Sequence, residues 1–350
     1  MIHLVQPSAP TVSVVICAYT DERWDDLRAS VESAVAQTVP ALEVLVVIDH
    51  NDELLDRARR HFFGTSPVRV LASVDRKGLS GARNSGVRAA RGGVVAFLDD
   101  DATAADDWIE TLRAPYVDPT VAGVGGHATP VWPAARPGWL PTEFDWVVGC
   151  SYTGQPETTA EVRNFIGCNM SIRRSYFDAV GGFSHAIGRV GKIPLGCEET
   201  ELCIRIRQHD PQARMVYEPD MRVRHRVSAD RVRPKYFFRR CYAEGLSKAV
   251  VAELVGAQDG LGSERSYVGK VLPAAVIRGV RQGFSLHSSA VQRKDGRRRA
   301  GAVVSGLAAT TVGYAYARLR ILTGVQPKPG PAPSIDELPG SPMGALHSAV

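Results

Sequence analysis

Three consecutive carboxylates, Asp99-Asp100-Asp101, close the apolar run Val94-Val95-Ala96-Phe97-Leu98. The run, with two β-branched valines, reads as a short buried strand. In an open α/β sheet, ligands bind beyond the carboxyl ends of the strands, so the acids stand where a site would be. Side by side they repel one another unless a cation neutralises them. A hard divalent ion with oxygen ligands does so, and it commonly shares its shell with diphosphate oxygens. The chemistry implied is a metal–nucleotide site. A solvated acidic turn has the same composition, and the rest of the chain must decide.

Elements that could position these acids precede them. Val12 to Ala18 is an apolar, β-branched run, and Trp24, Leu27, Val31, Ala34 and Val35 then recur at helical spacing. Glu43 to Ile48 is a second strand, ending at Asp49, and Leu54, Leu55, Ala58, Phe62 and Phe63 mark a helix after it. Val68 to Leu71 is a third strand, and Gly78 to Arg91 a helix with a small-residue face. Near-continuous apolar strands alternating with helices predict an α/β fold, a mostly parallel sheet covered on both faces. Three strand ends, at Tyr19-Thr20-Asp21, Asp49 and Asp99-Asp100-Asp101, then share one edge.

The chain resembles family 2 glycosyltransferases of the GT-A fold. The resemblance is carried by Val14 to Thr20, Gln37-Thr38, Val46-Val47-Ile48-Asp49, Gly78 to Gly86 and Phe97 to Asp101, in order, over roughly the first 110 residues. It continues in Gly181-Gly182-Phe183 and in Gly196-Cys197-Glu198-Glu199-Thr200-Glu201-Leu202, similar to the family's acceptor-side and base-bearing segments.

The resemblance implies inverting transfer of a sugar from a nucleoside diphosphate, UDP-linked, to an acceptor hydroxyl, lipid-linked or in a cell-envelope glycan. The departing diphosphate needs a Lewis acid, Mn²⁺ or Mg²⁺, and the hydroxyl needs a proton acceptor. By resemblance Asp101 ligates the metal, Asp99 lies near it, the ribose or the donor sugar, and Asp100 could do either. Glu199 matches the second acid of the family's Glu-Asp pair. Here that acid is one methylene longer, which leaves Glu198 as a competitor. Acids at a helix N-terminus also simply suit the dipole there. His225, in the alternating strand Met221 to Val227, is the candidate for completing the metal shell.

On the nucleotide side, Asp49 can accept the ring N–H of uracil, with Ala18, Tyr19 and Thr20 in the same pocket. Asp49 could instead cap the helix that follows. Lys77, Gly78, Arg83 and Asn84 offer donors suited to an anionic or ribose-bearing ligand. Neither a Walker loop nor a dinucleotide fingerprint is present. A sugar nucleotidyltransferase would carry a Gly-rich basic loop after the first strand, whereas Tyr19-Thr20-Asp21-Glu22 is acidic. A non-catalytic sugar-nucleotide-binding relative would have lost the acids, which are all present.

The chain has 350 residues, a net charge of +5 and six cysteines without a C-x-x-C spacing, read as reduced buried thiols. Its first residues carry no signal-peptide pattern. These features predict a cytoplasmic enzyme, peripheral on the inner face of the plasma membrane. Two basic clusters, Arg222 to Arg240 with interleaved aromatics and Arg293 to Arg299, fit an anionic membrane surface. No nucleic-acid module accompanies them, and nucleic acid is not expected as a partner. Ala300 to Ala317 is too poor in large apolar residues for a confident span. It and Tyr267 to Gly283 read as helices that lie on a membrane or pack on the catalytic domain. Gly125 to Gly167, with Trp132, Trp139 and Trp146, is expected to shape the acceptor cleft. The expected organisation is a flexible 1–10, a nucleotide-sugar half 11–115, an acceptor half 116–250, a helical region 251–325 and a disordered, Pro-rich tail 326–350.

Overall fold

The structure is a computed structural model and describes residues 9–188, 195–260 and 266–325. The expected tail 326–350 and all but the end of the expected loose N-terminus lie outside the described residues.

Strands β1 (Val12–Ala18), β2 (Glu43–Ile48), β3 (Val68–Ala72) and β4 (Val94–Asp99) pair in parallel in the order β3-β2-β1-β4. Alternate residues feed the two faces. Val14, Ile16, Val44, Val46 and Leu98 pack toward α1 (Trp24–Val35) and α2 (Asp52–His61). Val15, Leu45, Val47 and Phe97 pack toward α3 (Leu79–Ala89). Burial on both sides is why these strands are continuous apolar runs.

The remaining half differs from the mostly parallel expectation. β5 (Ala102–Ala104), β6 (Val121–Val131), β7 (Ala160–Glu161), β8 (Asn169–Arg173) and β9 (Arg214–Arg226) extend one mixed sheet. β8 runs antiparallel to both β4 and β6, while β6 and β9 are parallel. The short α4 (Trp108–Arg113) packs with the first face, and α5 (Arg174–Val180) and α6 (Glu198–His209) cover the second.

The glycines of the α3 segment are set by packing. A Cβ on Gly86 would stand 2.4 Å from Val15 Cγ1, and one on Gly81 would stand 1.8 Å from the Arg76 carbonyl oxygen. These contacts press α3 against β1 and against the turn before it.

The C-terminal helices are α7 (Pro234–Val255), the single turn α8 (Ala257–Gly260), α9 (Leu272–Phe284) and α10 (Ala290–Leu322). The boundary expected at 250/251 falls inside α7, whose buried positions run on through Val255. The basic cluster Arg293 to Arg299 and the small-residue run after it form one helix, because Lys and Arg continue a helix as readily as Ala begins one. α10 packs on α7 closely enough that a Cβ on Gly245 would meet the Thr310 carbonyl oxygen at 2.0 Å. Phe144, Phe237, Leu272 and Val303 form the cluster beneath. Of the two readings of these helices, packing on the catalytic domain therefore describes their inner faces.

Candidate active site

Register brings the metal candidates together. Cys17 of β1 lies opposite Asp99 of β4, and β5 pairs antiparallel with β9 so that Ala102 faces His225. The Arg226 amide then donates to the Asp101 carbonyl at 2.8 Å. One ligand atom from each of Asp99, Asp101 and His225 falls within 4.8 Å of the other two. His225 Nε2 is 3.3 Å from Asp101 Oδ1, and its Nδ1 faces the Cys150 thiol at 3.6 Å. Two carboxylates and an imidazole are a donor set that fits Mn²⁺ or Mg²⁺.

Arginines surround these acids. Arg23 bridges Asp100 and Asp101 at 3.0 Å each, and Arg231 Nη2 is 3.7 Å from Asp101. Burial works to raise the Asp101 carboxyl, but His225, Arg231 and Arg23 hold it well below the usual carboxylate range. Asp100 moves the other way: burial, opposed by Arg23 and reinforced by Asp101 and Asp99, holds it high. Neither Arg23 nor Arg231 was singled out as a site residue from sequence. The signal for Arg23 was its place in the short turn that follows β1. Arg231 was read into a surface patch.

That patch is divided. Within Arg222 to Arg240, Arg226 pairs with Asp26 at 2.7 Å, Arg231 with Asp101, and Arg240 with Glu244 at 2.8 Å. Phe237 is fully buried. Arg222, Arg224, Arg233, Lys235, Phe238 and Arg239 stand exposed, so only part of the run turns inward.

Glu198 and Glu199 open α6. Glu198 is buried and ion-paired to Arg83 at 2.9 Å, and Arg83 also reaches Asp99 at 3.3 Å and the Gly167 carbonyl at 3.0 Å. Arg83 thus ties the N-terminus of α6 to the end of β4. Among the described residues Glu199 makes no such pair. Burial and the neighbouring Glu198 carboxylate push its carboxyl up to about 8.

Both glutamates line one cleft of about 870 Å³ with Ala18, Tyr19, Asp49, Lys77, Gly78, Arg83, Asp99, Asp100, Asp101 and His225. Asp49 accepts from the Gly78 amide at 2.9 Å and lies 2.8 Å from His50 Nδ1. It is not the cap of α2. That role belongs to Asn51, which accepts from the Leu54 amide. Two candidates stand apart from the cleft. Thr20 Oγ1 accepts from the Glu22 amide, capping a 3₁₀ turn at Asp21–Arg23. Asn84 is fully buried and spends its amide on Phe183, accepting from its N–H at 2.7 Å and donating to its carbonyl at 3.0 Å. It clamps the Gly181-Gly182-Phe183 turn behind the cleft.

The far wall comes from the Trp-containing segment. Trp146 lines the cleft with Phe144 and Tyr152, whereas Trp132 and Trp139 pack into the cluster beneath α7. Tyr267, Val271, Leu272 and Leu307 of the C-terminal region complete it. The cleft therefore runs from the acids at the strand ends to an apolar wall made by the helices.

Comparison with known proteins agrees with this arrangement. A profile of Glycosyl transferase family 2 matches residues 13–181. The glucosyl-dolichyl phosphate glucuronosyltransferase of Haloferax volcanii is 39% identical over 241 residues, 69% of this chain and 77% of the relative. The mouse polypeptide N-acetylgalactosaminyltransferase 6 is 26% identical over 234 residues, 60% of this chain and 36% of the relative. Among solved structures, the mannosyltransferase PcManGT of Pyrobaculum calidifontis, in complex with GDP-Man and Mn²⁺, superposes with a TM-score of 0.55 at 18% identity, covering 89% of this chain and 88% of that one. GalNAc-T7 with UDP, GalNAc and Mn²⁺ gives 0.53 at 18% identity, covering 93% and 59%. The chain belongs to glycosyl transferase family 2 and has the GT-A fold. It is a glycosyltransferase.

Proposed function

We propose that this enzyme is an inverting, divalent-metal-dependent transferase that moves a sugar from a nucleoside diphosphate, uridine-linked, to a hydroxyl of a lipid-phosphate-linked sugar. The observation that carries the reading is one continuous cleft. It is lined by the Asp99–Asp101–His225 donor set, by Glu199 and by an apolar wall. The lipid-phosphate acceptor draws support from the Haloferax volcanii relative, and the metal from the Mn²⁺ in both structural neighbours.

Asp101, Asp99 and His225 would hold the cation, which supplies Lewis-acid stabilisation of the departing diphosphate. Asp49 accepts the ring N–H of the base, with Ala18 and Tyr19 beside it. Arg83 fixes Asp99 and Glu198 relative to each other. Glu199 takes the proton from the attacking hydroxyl. A carboxyl pushed up to about 8 is, once ionised, a stronger base than an ordinary carboxylate. Glu198, committed to Arg83, is the poorer proton acceptor. A donor screen tests the reading. Uridine diphosphate should be released from a uridine-linked sugar only when a polyprenyl-phosphate sugar and Mn²⁺ are both present. Release from guanosine-linked donors instead would overturn the base assignment, and conversion of the sugar nucleotide with added pyrophosphate to a nucleoside triphosphate and sugar 1-phosphate would overturn the whole reading.

We also propose attachment to the inner membrane surface. Among the described residues no helix is long and apolar enough to cross a membrane. The tip joining α9 to α10 is nevertheless apolar and exposed at Phe284, Leu286 and Val291, with Ile277 and Val280 exposed on α9. Arg281, Lys294 and Arg298 stand exposed around it. Other bases of the cluster are spent inside, Arg297 donating to the Gly283 carbonyl and Arg299 to that of Gly138. Each base near an anionic surface contributes roughly 1 kcal/mol. The protein should therefore sediment with anionic vesicles at low salt, and Phe284→Ser with Leu286→Ser should release it. Wild-type protein that ignores such vesicles would exclude this surface.

A further inference from the structure

We propose that Cys150 is a positioning residue for the cation site: its sulfur accepts the hydrogen of His225 Nδ1, which leaves Nε2 bare to ligate. The inference rests on the metal reading above and deepens it. His225 Nε2 lies 3.3 Å from Asp101 Oδ1, while Nδ1, on the other side of the ring, lies 3.6 Å from Cys150 Sγ. Both residues are buried, His225 at 2% and Cys150 at 0% exposure. Among the described residues no other hydrogen-bond partner faces Nδ1.

A neutral imidazole carries one hydrogen, on Nδ1 or on Nε2, and only the bare nitrogen binds a cation. A histidine that ligates through one nitrogen almost always donates the other N–H to a fixed acceptor, which sets both tautomer and ring orientation. Carboxylates, carbonyls and waters usually serve; here the group in place is sulfur. A thiol is a weak donor and a weak acceptor, so it accepts from Nδ1–H when its own hydrogen points elsewhere. The Val148 carbonyl, 4.0 Å from Sγ, is there to receive that hydrogen.

The turn that carries Cys150 holds it against the ring. The 3₁₀ helix Thr142–Val148 ends at Gly149, whose φ of +85° is a left-handed conformation suited to glycine. A Cβ on Gly149 would stand 3.1 Å from His225 Cε1, so the backbone lies directly on the imidazole. The Cys150 amide donates to the Asp145 carbonyl at 3.1 Å, and the Ser151 amide donates at 2.9 Å to that of Ala128 in β6, the strand beside β9. Cys168 donates to the Gly149 carbonyl at 3.4 Å, and Arg231 Nη1 to the Val148 carbonyl at 3.3 Å. The same Arg231 reaches Asp101. The segment expected to shape the acceptor cleft thus also frames the cation site.

The test is Mn²⁺ binding by the full-length protein in the presence of UDP, followed by electron paramagnetic resonance of the unbound ion, which needs no turnover. Cys150→Val offers neither a hydrogen nor a lone pair, whereas Cys150→Ser offers both. The valine variant should bind Mn²⁺ about 10–100-fold more weakly, the usual effect of losing such a partner, and the serine variant should recover part of the loss. A packing role predicts the reverse order, because a hydroxyl set among Val148 and Val227 is the poorer fit. Nitrogen-15 spectra with Mg²⁺ give a second reading, the His225 signals being assigned by their loss in His225→Asn. The hydrogen should sit on Nδ1 in the wild type. Found on Nε2, it overturns the inference even if Cys150→Val does not fold. Wild-type affinity in Cys150→Val, or a serine variant no better than the valine one, also overturns it and leaves the metal reading intact. A wild type that binds no Mn²⁺ overturns both.

Discussion

Glu199→Gln lowers kcat by about 10²–10⁴-fold, the usual contribution of a general base, with little change in donor affinity. The substitution keeps the side chain's shape and removes only its ability to accept a proton. Its pH dependence is fixed in sign by the raised carboxyl. With an ionisation near 8, Glu199 is mostly protonated at pH 7 and cannot accept a proton in that form. In the wild type kcat/KM therefore rises with pH through about 8 and levels above it, and in the Gln variant that ionisation disappears from the residual rate. Glu198→Gln has a different expected signature. It breaks the buried pair with Arg83, leaving that buried guanidinium only Asp99 and the Gly167 carbonyl, which makes the loss one of stability as well as rate. A large kcat loss in Glu198→Gln with none in Glu199→Gln would reassign the base by one residue.

Asp101→Asn should reduce turnover by roughly 10³-fold or more, because a Lewis acid contributes several kcal/mol and each 1.36 kcal/mol is tenfold in rate. The amide fills the same space but is a far weaker ligand. Asn also loses the charge that Arg23, Arg231 and His225 now face, so circular dichroism must accompany the kinetics. Chelation of the wild type should reproduce the loss and added Mn²⁺ should reverse it, while no amount of Mn²⁺ restores the variant fully. Undiminished turnover after chelation would remove the metal from the account.

The donor half was legible because its physics is local. Strands buried on both faces must be apolar throughout, and each ends in an acid or a polar turn, so β1, β2 and β4 announced both themselves and the site. The second half was less legible. β6 begins Val121-Ala122-Gly123-Val124-Gly125-Gly126, a weak strand signal. Its glycines are there because neighbours crowd the backbone: a Cβ on Gly125 would meet Phe165 at 2.3 Å, and one on Gly126 the Met221 carbonyl oxygen at 1.9 Å. No local pattern reveals such distant contacts.

The site residues divide in the same way. Asp99, Asp101 and His225 were readable by type, but only the β5–β9 register makes neighbours of Asp101 and His225. Asn84 belongs to a readable motif, yet its amide holds the Gly181-Gly182-Phe183 turn. Charge density in Arg222 to Arg240 hid two cleft residues, because composition counts bases without showing that Arg231 and Arg240 line the cleft.

The most direct measurement of the central claim, a single in-line displacement with Glu199 as base, is the anomeric configuration of the first-formed product, followed by proton NMR during turnover. One carboxylate base on the acceptor side of the donor predicts a glycosidic bond opposite in configuration to that of the sugar nucleotide. A product that retains the donor's configuration would contradict the account.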